Sequence, residues 1–237
     1  MYLGRVVGAG HLPGYKDFLA YAVSGRSESS RERKARITEG PSVMKVNIGP
    51  LDPGNLTEEQ KEQSRWIFYN GIIASNEGFY ALASNGEQTD AMNMLITEES
   101  LRNEEAMRCA MKVLGAERDF YNTPRIAAGF FGDPGKNYIS IITEDGYYGR
   151  WLKLHSNPER MHYVSTYEGK SCSNDVVVPK GVVEIPMGII AMHGNRAQDI
   201  ADNLYDWMNP ELVVCTAAAL YDVDSRRFEL AVRNLHE

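Results

Sequence analysis

Arg125 stands at the mouth of an apolar strand, directly after a proline turn, in Asn122-Thr123-Pro124-Arg125-Ile126-Ala127-Ala128-Gly129. A guanidinium there can bind substrate oxygens or serve as a structural ion-pair partner. Tyr69, beside Asn70, offers a phenol in an otherwise apolar strand-like run. The ordinary fate of such a residue is a packed ring with a satisfied hydroxyl. Glu117 lies just past a helix-like segment and before the proline turn, where an acid is by default a surface residue. Arg26, Arg31, Arg33, Lys34 and Arg36 are set against Glu28 and Glu32, a local charge of +3 in a chain of net −7, with Ser27, Ser29 and Ser30 adding hydroxyls. Guanidinium forks match phosphate geometry, so this stretch is a candidate phosphate cradle as well as a candidate solvated loop.

Other chemistries find little support. Gly8-Ala9-Gly10 has its third glycine at Gly14, one residue too late for a dinucleotide loop, and Pro13 intervenes. A plain turn between strands is the expectation there. His11, His155, His162, His193 and His236 form no H-x-x-x-H or H-E-x-x-H pair, and no Cys-x-x-Cys occurs, so no metal site is expected. No G-x-S-x-G elbow is present. Met1-Tyr2 exposes no Ser, Thr or Cys on simple methionine removal, which leaves an N-terminal nucleophile unsupported.

The elements that must position these groups are mostly strands. Tyr2–Val7, Trp66–Ala74, Gly78–Ala83, Arg125–Phe131, Tyr138–Thr143, Tyr147–Leu154, His162–Tyr167, Leu212–Leu220 and Phe228–Val232 read as strands. Ser75-Asn76-Glu77-Gly78 and Gly132-Asp133-Pro134-Gly135 are turn signals between them. Glu98–Leu114 and Ala197–Met208 carry apolar residues at helical spacing, with Gly115 and Pro210 as stops. Thr57–Ser64 reads as a short polar helix with Thr57 as N-cap and Gln60 at the capping-box position. Hairpins with two or three helices predict an α+β fold with largely antiparallel sheet. No linker or repeat divides residues 1–237, so one domain is expected.

Hydrophobic content of 43% and charged content of 24% suit a soluble globular protein. The net charge of −7 argues against a general nucleic-acid binder but leaves room for a small anionic ligand at a local basic cluster. Cys109, Cys172 and Cys215 are odd in number and widely spaced, which points to a reducing, cytoplasmic compartment. No signal pattern and no apolar run of membrane-spanning length is seen. Strand edges and apolar residues make a homo-oligomer the expectation.

Five blocks occur in one order: Met1-Tyr2-Leu3-Gly4-Arg5, Val23-Ser24-Gly25-Arg26-Ser27, Ser84-Asn85-Gly86-Glu87-Gln88-Thr89-Asp90, Asn122–Gly129 and Val164-Ser165-Thr166-Tyr167-Glu168. With the ending Cys215-Thr216-Ala217-Ala218-Ala219-Leu220-Tyr221-Asp222, they resemble the archaeal-type inosine monophosphate (IMP) cyclohydrolase family. The resemblance implies two stacked, mainly antiparallel sheets flanked by helices, similar to the N-terminal-nucleophile hydrolases. It implies cofactor-free closure of 5-formamidoimidazole-4-carboxamide ribonucleotide to IMP, with a purine nucleotide as the small-molecule partner.

By that resemblance Tyr69 would donate to or orient the formyl oxygen, Glu117 would accept or relay a proton, and Arg125 would bind or polarise substrate oxygens. Arg26, Ser27 and Arg31 would hold the phosphate. Asn85, Gly86, Thr89 and Asp90 would form part of the pocket, and Asn122 and Thr123 would position the base. Gln88 stands where archaeal relatives typically carry histidine. Two alternatives stay open: an amidohydrolase acting on a C–N bond, since a fold does not fix a function, and a purine-nucleotide binding module without turnover.

Overall fold

The computed structural model describes residues 1–55, 68–98, 101, 103–154, 158–169, 177–180 and 184–236. One sheet joins, edge to edge, β11 (Gly188–Ala191), β10 (Arg160–Ser165), β1 (Arg5–Leu12), β2 (Lys16–Ser24), β12 (Val213–Asp222) and β13 (Arg227–Asn234). The other joins β3 (Arg33–Glu39), β4 (Val43–Pro50), β5 (Tyr69–Ser75), β6 (Ala81–Ser84), β7 (Arg125–Phe130), β8 (Lys136–Thr143) and β9 (Gly146–Lys153) in chain order. Every pairing is antiparallel.

The layering follows from the period-2 alternation of side chains. Val7, Ala9, Leu19, Tyr21, Ala217 and Ala219 of the first sheet face Ile72, Ala83, Ile126, Ala128, Ile139 and Ile141 of the second in one apolar core. The opposite face of the first sheet buries Val6, Phe18, Ala20 and Leu220 under Ile200, Ala201 and Leu204 of helix α4 (Ala197–Trp207). The opposite face of the second buries Leu82, Ala127 and Tyr138 under Met92 of α2 (Gln88–Thr97) and Met107 and Met111 of α3 (Asn103–Leu114). The one-turn helix α1 (Glu28–Arg31) precedes β3. The result is a helix–sheet–sheet–helix sandwich, in agreement with the expected α+β class.

Polar staples tie the two sheets at their margins. The Asp17 carboxylate, fully buried on β2, accepts from Gly135 N at 2.5 Å and holds His11 Nδ1 at 2.9 Å. At the opposite margin Asn234 of β13 accepts from Ala35 N at 2.7 Å and donates to Ala35 O at 3.3 Å.

Several expectations need correction. The turn expected at Gly8-Ala9-Gly10 is the middle of β1. The glycines leave room for other side chains: a Cβ would lie 2.4 Å from Met161 Sδ at Gly8 and 2.1 Å from Phe18 Cζ at Gly10. The strand expected at Tyr2–Val7 therefore starts later, at Arg5, and runs on to Leu12. The strand expected from Gly78 starts at Ala81, because Gly78 turns the chain at φ +73°. Glu98–Leu114 contributes only α3, from Asn103, and the separate helix α2 stands upstream of it. The polar stretch from Ser27 to Arg36 divides: Glu28–Arg31 is helical, and Arg33–Arg36 enter β3. Strands β2, β3, β4 and β11 went unforeseen. Thr57–Ser64, Trp66 and Ile67 lie outside the described residues.

Candidate active site

The site residues hang from strand ends at one end of the sandwich. Arg5 opens β1, Tyr69 opens β5, Arg125 opens β7, and Asn85 follows the last residue of β6. Glu117 comes from the loop between α3 and β7. Gly115 ends α3 at φ +66°, the left-handed geometry that stops a helix, and its N–H donates to Met111 O at 2.9 Å. The loop then closes on itself. Glu117 N donates to Thr123 O at 2.8 Å, and the Asp119 carboxylate takes hydrogen bonds from Thr123 N at 2.8 Å and Thr123 Oγ1 at 2.6 Å. The acid is thereby turned inward and is only 4% exposed.

Its partners are few and specific. Glu117 Oε2 lies 3.4 Å from Arg5 Nη1, and Oε1 accepts from Asn85 Nδ2 at 3.0 Å. Burial raises the Glu117 carboxyl above its ordinary range, and the charges of Arg5 and then Arg125 only partly pull it back. Burial alone would lower Arg5, but Glu117 together with the phenols of Tyr69, Tyr21 and Tyr167 outweighs it, and the guanidinium is held still more firmly protonated. Pairing thus strengthens the cation without fully securing the anion. Glu117 decides what the pair does, since an arginine stays charged throughout the working pH range.

Asn85 ties the centre to Arg125. Its amide donates to Pro124 O at 3.0 Å, and its Oδ1 accepts from Ile126 N at 2.7 Å and Gln88 Nε2 at 3.0 Å. Arg125 Nη1 donates to Gln88 Oε1 at 2.7 Å and Nη2 to Glu87 Oε1 at 3.1 Å. Buried Arg125 Nε has no hydrogen-bond partner among the described residues. Gly86 leaves this fork room: a Cβ would stand 2.8 Å from Gln88 Oε1 and 2.9 Å from Arg125 Nη1.

Tyr69 shares a hydrogen bond of 2.5 Å with Tyr21 of β2, and both phenols lie within the electrostatic reach of Arg5. On the other flank Thr123 Oγ1 meets Tyr167 Oη at 3.0 Å, and the Tyr167 ring stacks on Tyr2 at 5.4 Å. The Arg26 guanidinium covers the outer face of Tyr2, 4.9 Å from the ring centre. A path of side chains therefore leads from Arg26 to Glu117. Arg26 and Arg31, with Glu28 and Glu32, also line a hollow of about 460 Å³ closed by Leu51, Leu235 and His236.

Besides Arg26 and Arg31 at that hollow, the sequence-derived residues fall into three groups. Tyr69, Asn85, Glu117, Thr123 and Arg125 converge. Gly86 and Thr89 shape the β6–α2 corner, where Thr89 Oγ1 bonds Gly86 O at 3.0 Å and also meets Ser84 Oγ. Ser27, Asp90 and Asn122 are engaged elsewhere. Ser27 Oγ caps α1 through Ser30 N at 3.2 Å, Asp90 takes both Asn70 Nδ2 contacts at 2.7 and 2.9 Å, and Asn122 Nδ2 donates to Glu144 Oε1 at 2.7 Å. Sequence reasoning missed Arg5, Tyr21, Gln88, Asp119 and Tyr167 as site members. Arg5, Gln88 and Tyr167 were inside the recognised blocks, whereas Tyr21 carried no signal beyond being an aromatic at an inward strand position.

A desolvated acid, two arginines and a phenol pair can orient an anion, stabilise oxygen charge and move a proton. Cys215 offers no thiolate, because burial pushes its thiol up to about 12. Among the described residues no group of three or more His, Cys, Asp or Glu converges as a metal-ligand set, and no helix is long and apolar enough to cross a membrane.

Fold and site together define an α+β sandwich protein with a buried acid–base centre at one end of its inter-sheet layer. The chain belongs to the IMP cyclohydrolase-like protein family, whose model matches residues 2–225. It is similar to the IMP cyclohydrolase of Methanothrix thermoacetophila, 31% identical over 234 residues that cover 99% of each chain. It is also similar to those of Methanocaldococcus jannaschii, 29% identical over 94% of this chain and 96% of that one, and Methanosphaera stadtmanae, 31% identical over 71% and 74%.

Proposed function

We propose that this protein closes the second ring of 5-formamidoimidazole-4-carboxamide ribonucleotide, releasing water and IMP in the last step of de novo purine synthesis. The single observation that carries the reading is the placement of Glu117. The carboxyl is buried, bounded by Arg5 and Asn85, and pushed upward in its titration, as a group that both takes and gives a proton must be.

The chemistry sets the division of labour. The carboxamide nitrogen attacks the formyl carbon, a C–N bond forms, and the formyl oxygen becomes a hydroxyl. That hydroxyl then leaves as water with one proton while the nitrogen loses its own. Tyr69 protonates the formyl oxygen as it gains charge, Glu117 takes a proton from the attacking nitrogen and returns it to the departing hydroxyl, and the second nitrogen proton restores the Tyr69 phenol. Arg125, through its unpartnered Nε, polarises a substrate oxygen. Arg26, Ser27 and Arg31 hold the phosphate, Asn85, Gly86, Thr89 and Asp90 wall the pocket, and Asn122 and Thr123 set the base. Anchoring the far end supplies binding energy that fixes the folded-back geometry. The machinery belongs to one domain spanning residues 1–237, it needs no cofactor, and it works in the cytoplasm.

A homo-oligomer is part of the same proposal. Its support is Ile189, 54% exposed on edge strand β11, and Phe120, 92% exposed beside the site. Light scattering behind size exclusion tests it, and a monomer at working concentration refutes it.

The activity test mixes protein with the formamido nucleotide, without metal or folate, and follows IMP. Rapid IMP formation is the expected outcome. Tight IMP binding without rate enhancement, or release of ammonia from an amide instead, defeats the reading.

A further inference from the structure

The reaction needs a phenol hydrogen aimed at the formyl oxygen, yet a hydroxyl rotor is free to point either way. Tyr69 has one hydroxyl hydrogen, and its oxygen is 2.5 Å from Tyr21 Oη. Which phenol donates decides whether Tyr69 has a hydrogen left for substrate. Three features of Tyr21 bear on this choice and on how the phenol is held.

Tyr21 is 0% exposed, whereas Tyr69 is 8% exposed at the outer end of β5. Among the described residues Tyr69 is the hydrogen-bond partner of Tyr21 Oη. A buried donor left unpaired costs more than a buried lone pair, so the Tyr21 hydrogen goes to Tyr69. Burial, then Tyr69, raises Tyr21 well above the ordinary phenol range, so it stays a donor at every working pH.

The third feature is steric. The Tyr21 ring crosses from its own sheet onto the backbone of Gly71 on β5. A Cβ at Gly71 would stand 2.8 Å from Tyr21 Cδ1 and 2.9 Å from Cε1. The second sheet thus leaves a gap that this ring fills beside Ile48, two residues from Tyr69. The ring is held nearly perpendicular to that of Tyr69, at 77°.

We propose that Tyr21 is a positioning residue which donates to Tyr69 and so commits the Tyr69 hydrogen to the substrate oxygen. The inference rests on the ring-closing function proposed above. No net proton moves through Tyr21; it fixes a rotor and makes Tyr69 a stronger donor by polarisation.

The test uses the whole protein and three variants: Tyr21→Phe, Tyr69→Phe and the double change. Phenylalanine keeps the ring on Gly71 and removes only the hydroxyl. Tyr21→Phe is expected to lower kcat about 10- to 100-fold, a fraction of the about 10²–10⁴-fold that positioned proton donors supply. KM and IMP affinity should stay within about twofold, since Tyr21 does not touch substrate. The double variant should be no slower than Tyr69→Phe alone, because the two act in series. A merely structural Tyr21 would instead give multiplied losses. Wild-type kcat in Tyr21→Phe, or multiplied losses in the double variant, overturns the relay. If Tyr21→Phe does not fold, 3-fluorotyrosine at position 21 carries the test. Fluorine makes the Tyr21 hydroxyl a stronger donor, so a changed kcat with KM kept supports the relay, and an unchanged kcat overturns it. A wild-type protein that forms no IMP overturns the function and the relay together, whereas wild-type turnover with an unaffected Tyr21→Phe overturns the relay alone.

Discussion

Replacing Arg5 with methionine isolates the electrostatics of the centre. The change keeps an apolar stem on β1 and removes the guanidinium 3.4 Å from Glu117 Oε2. Both side chains are largely buried, at 12% and 4% exposure, so solvent screens them little. At an effective dielectric of about 20 the lost attraction is about 5 kcal/mol, and breaking buried pairs costs about 3–5 kcal/mol because one charge is stranded. Glu117 has an escape, which is to bind a proton. Burial already raises it, Arg5 is the largest influence in the other direction, and without Arg5 it rises further. A carboxyl whose folded-state titration lies above its unfolded value favours folding below the unfolded value. That contribution is lost as pH rises through the folded value. Arg5→Met should therefore lose about 3–5 kcal/mol near pH 8, where the charge is stranded, and less near pH 5, as the raised carboxyl takes up protons while still holding Asn85. Urea midpoints of wild type and variant at the two pH values measure this. Adding Glu117→Gln should restore most of the loss at the higher pH. A deficit equal at both pH values, or none at all, would refute the account of Glu117 as a strained acid.

Four further outcomes are expected. Glu117→Gln should lower kcat by about 100-fold or more while calorimetry shows IMP affinity nearly unchanged; wild-type turnover would remove Glu117 from the proton path. Arg26→Ala should weaken IMP binding about tenfold, as loss of one charge-assisted hydrogen bond does, with kcat kept within about twofold; an unchanged Kd would move the phosphate elsewhere. Gly71→Ala should cost about 1–3 kcal/mol of stability by overpacking against the Tyr21 ring and slow turnover with it. Asn234→Ala should cost about 1–3 kcal/mol, read as a lower urea midpoint, because Ala35 N loses its acceptor in a dry seam.

Some of the fold was plain in the residues. The β7–β8 hairpin announced itself through Gly132-Asp133-Pro134-Gly135 between two apolar runs, and α4 through Ile200, Leu204 and Met208 on one face. What misled was chemistry serving a distant partner. Gly8 and Gly10 look like turn residues, but they are small because Met161 and Phe18 lie over them from neighbouring strands. Arg33 and Arg36 look like loop residues, but Arg33 Nε bonds Ser30 O at 2.8 Å and Arg36 Nη2 bonds Pro50 O and Leu51 O at 2.7 Å, inside and beside β3. The helix α2 hid because Gln88 and Thr89 are buried to hold Arg125 and the β6–α2 corner, not to fill a core. In the site, Tyr69, Glu117 and Arg125 were named from the family resemblance, only Arg125 from inside one of its blocks, and they converge with Asn85. Tyr21 could not be named, since its adjacency to Tyr69 depends on one sheet lying over the other, which no local spacing encodes.

Arg5, Tyr21, Tyr69 and Arg125 are mounted on inner strands: β1 and β2 lie mid-sheet, and β5 and β7 flank β6. Such strands exchange their amides last and open only with the whole molecule. Traffic into the centre is then left to the connecting stretches, residues 25–32 bearing Arg26 and residues 115–124 bearing Glu117. Inhibitors with long residence times would be those that clasp both stretches at once, because the sandwich beneath them does not breathe.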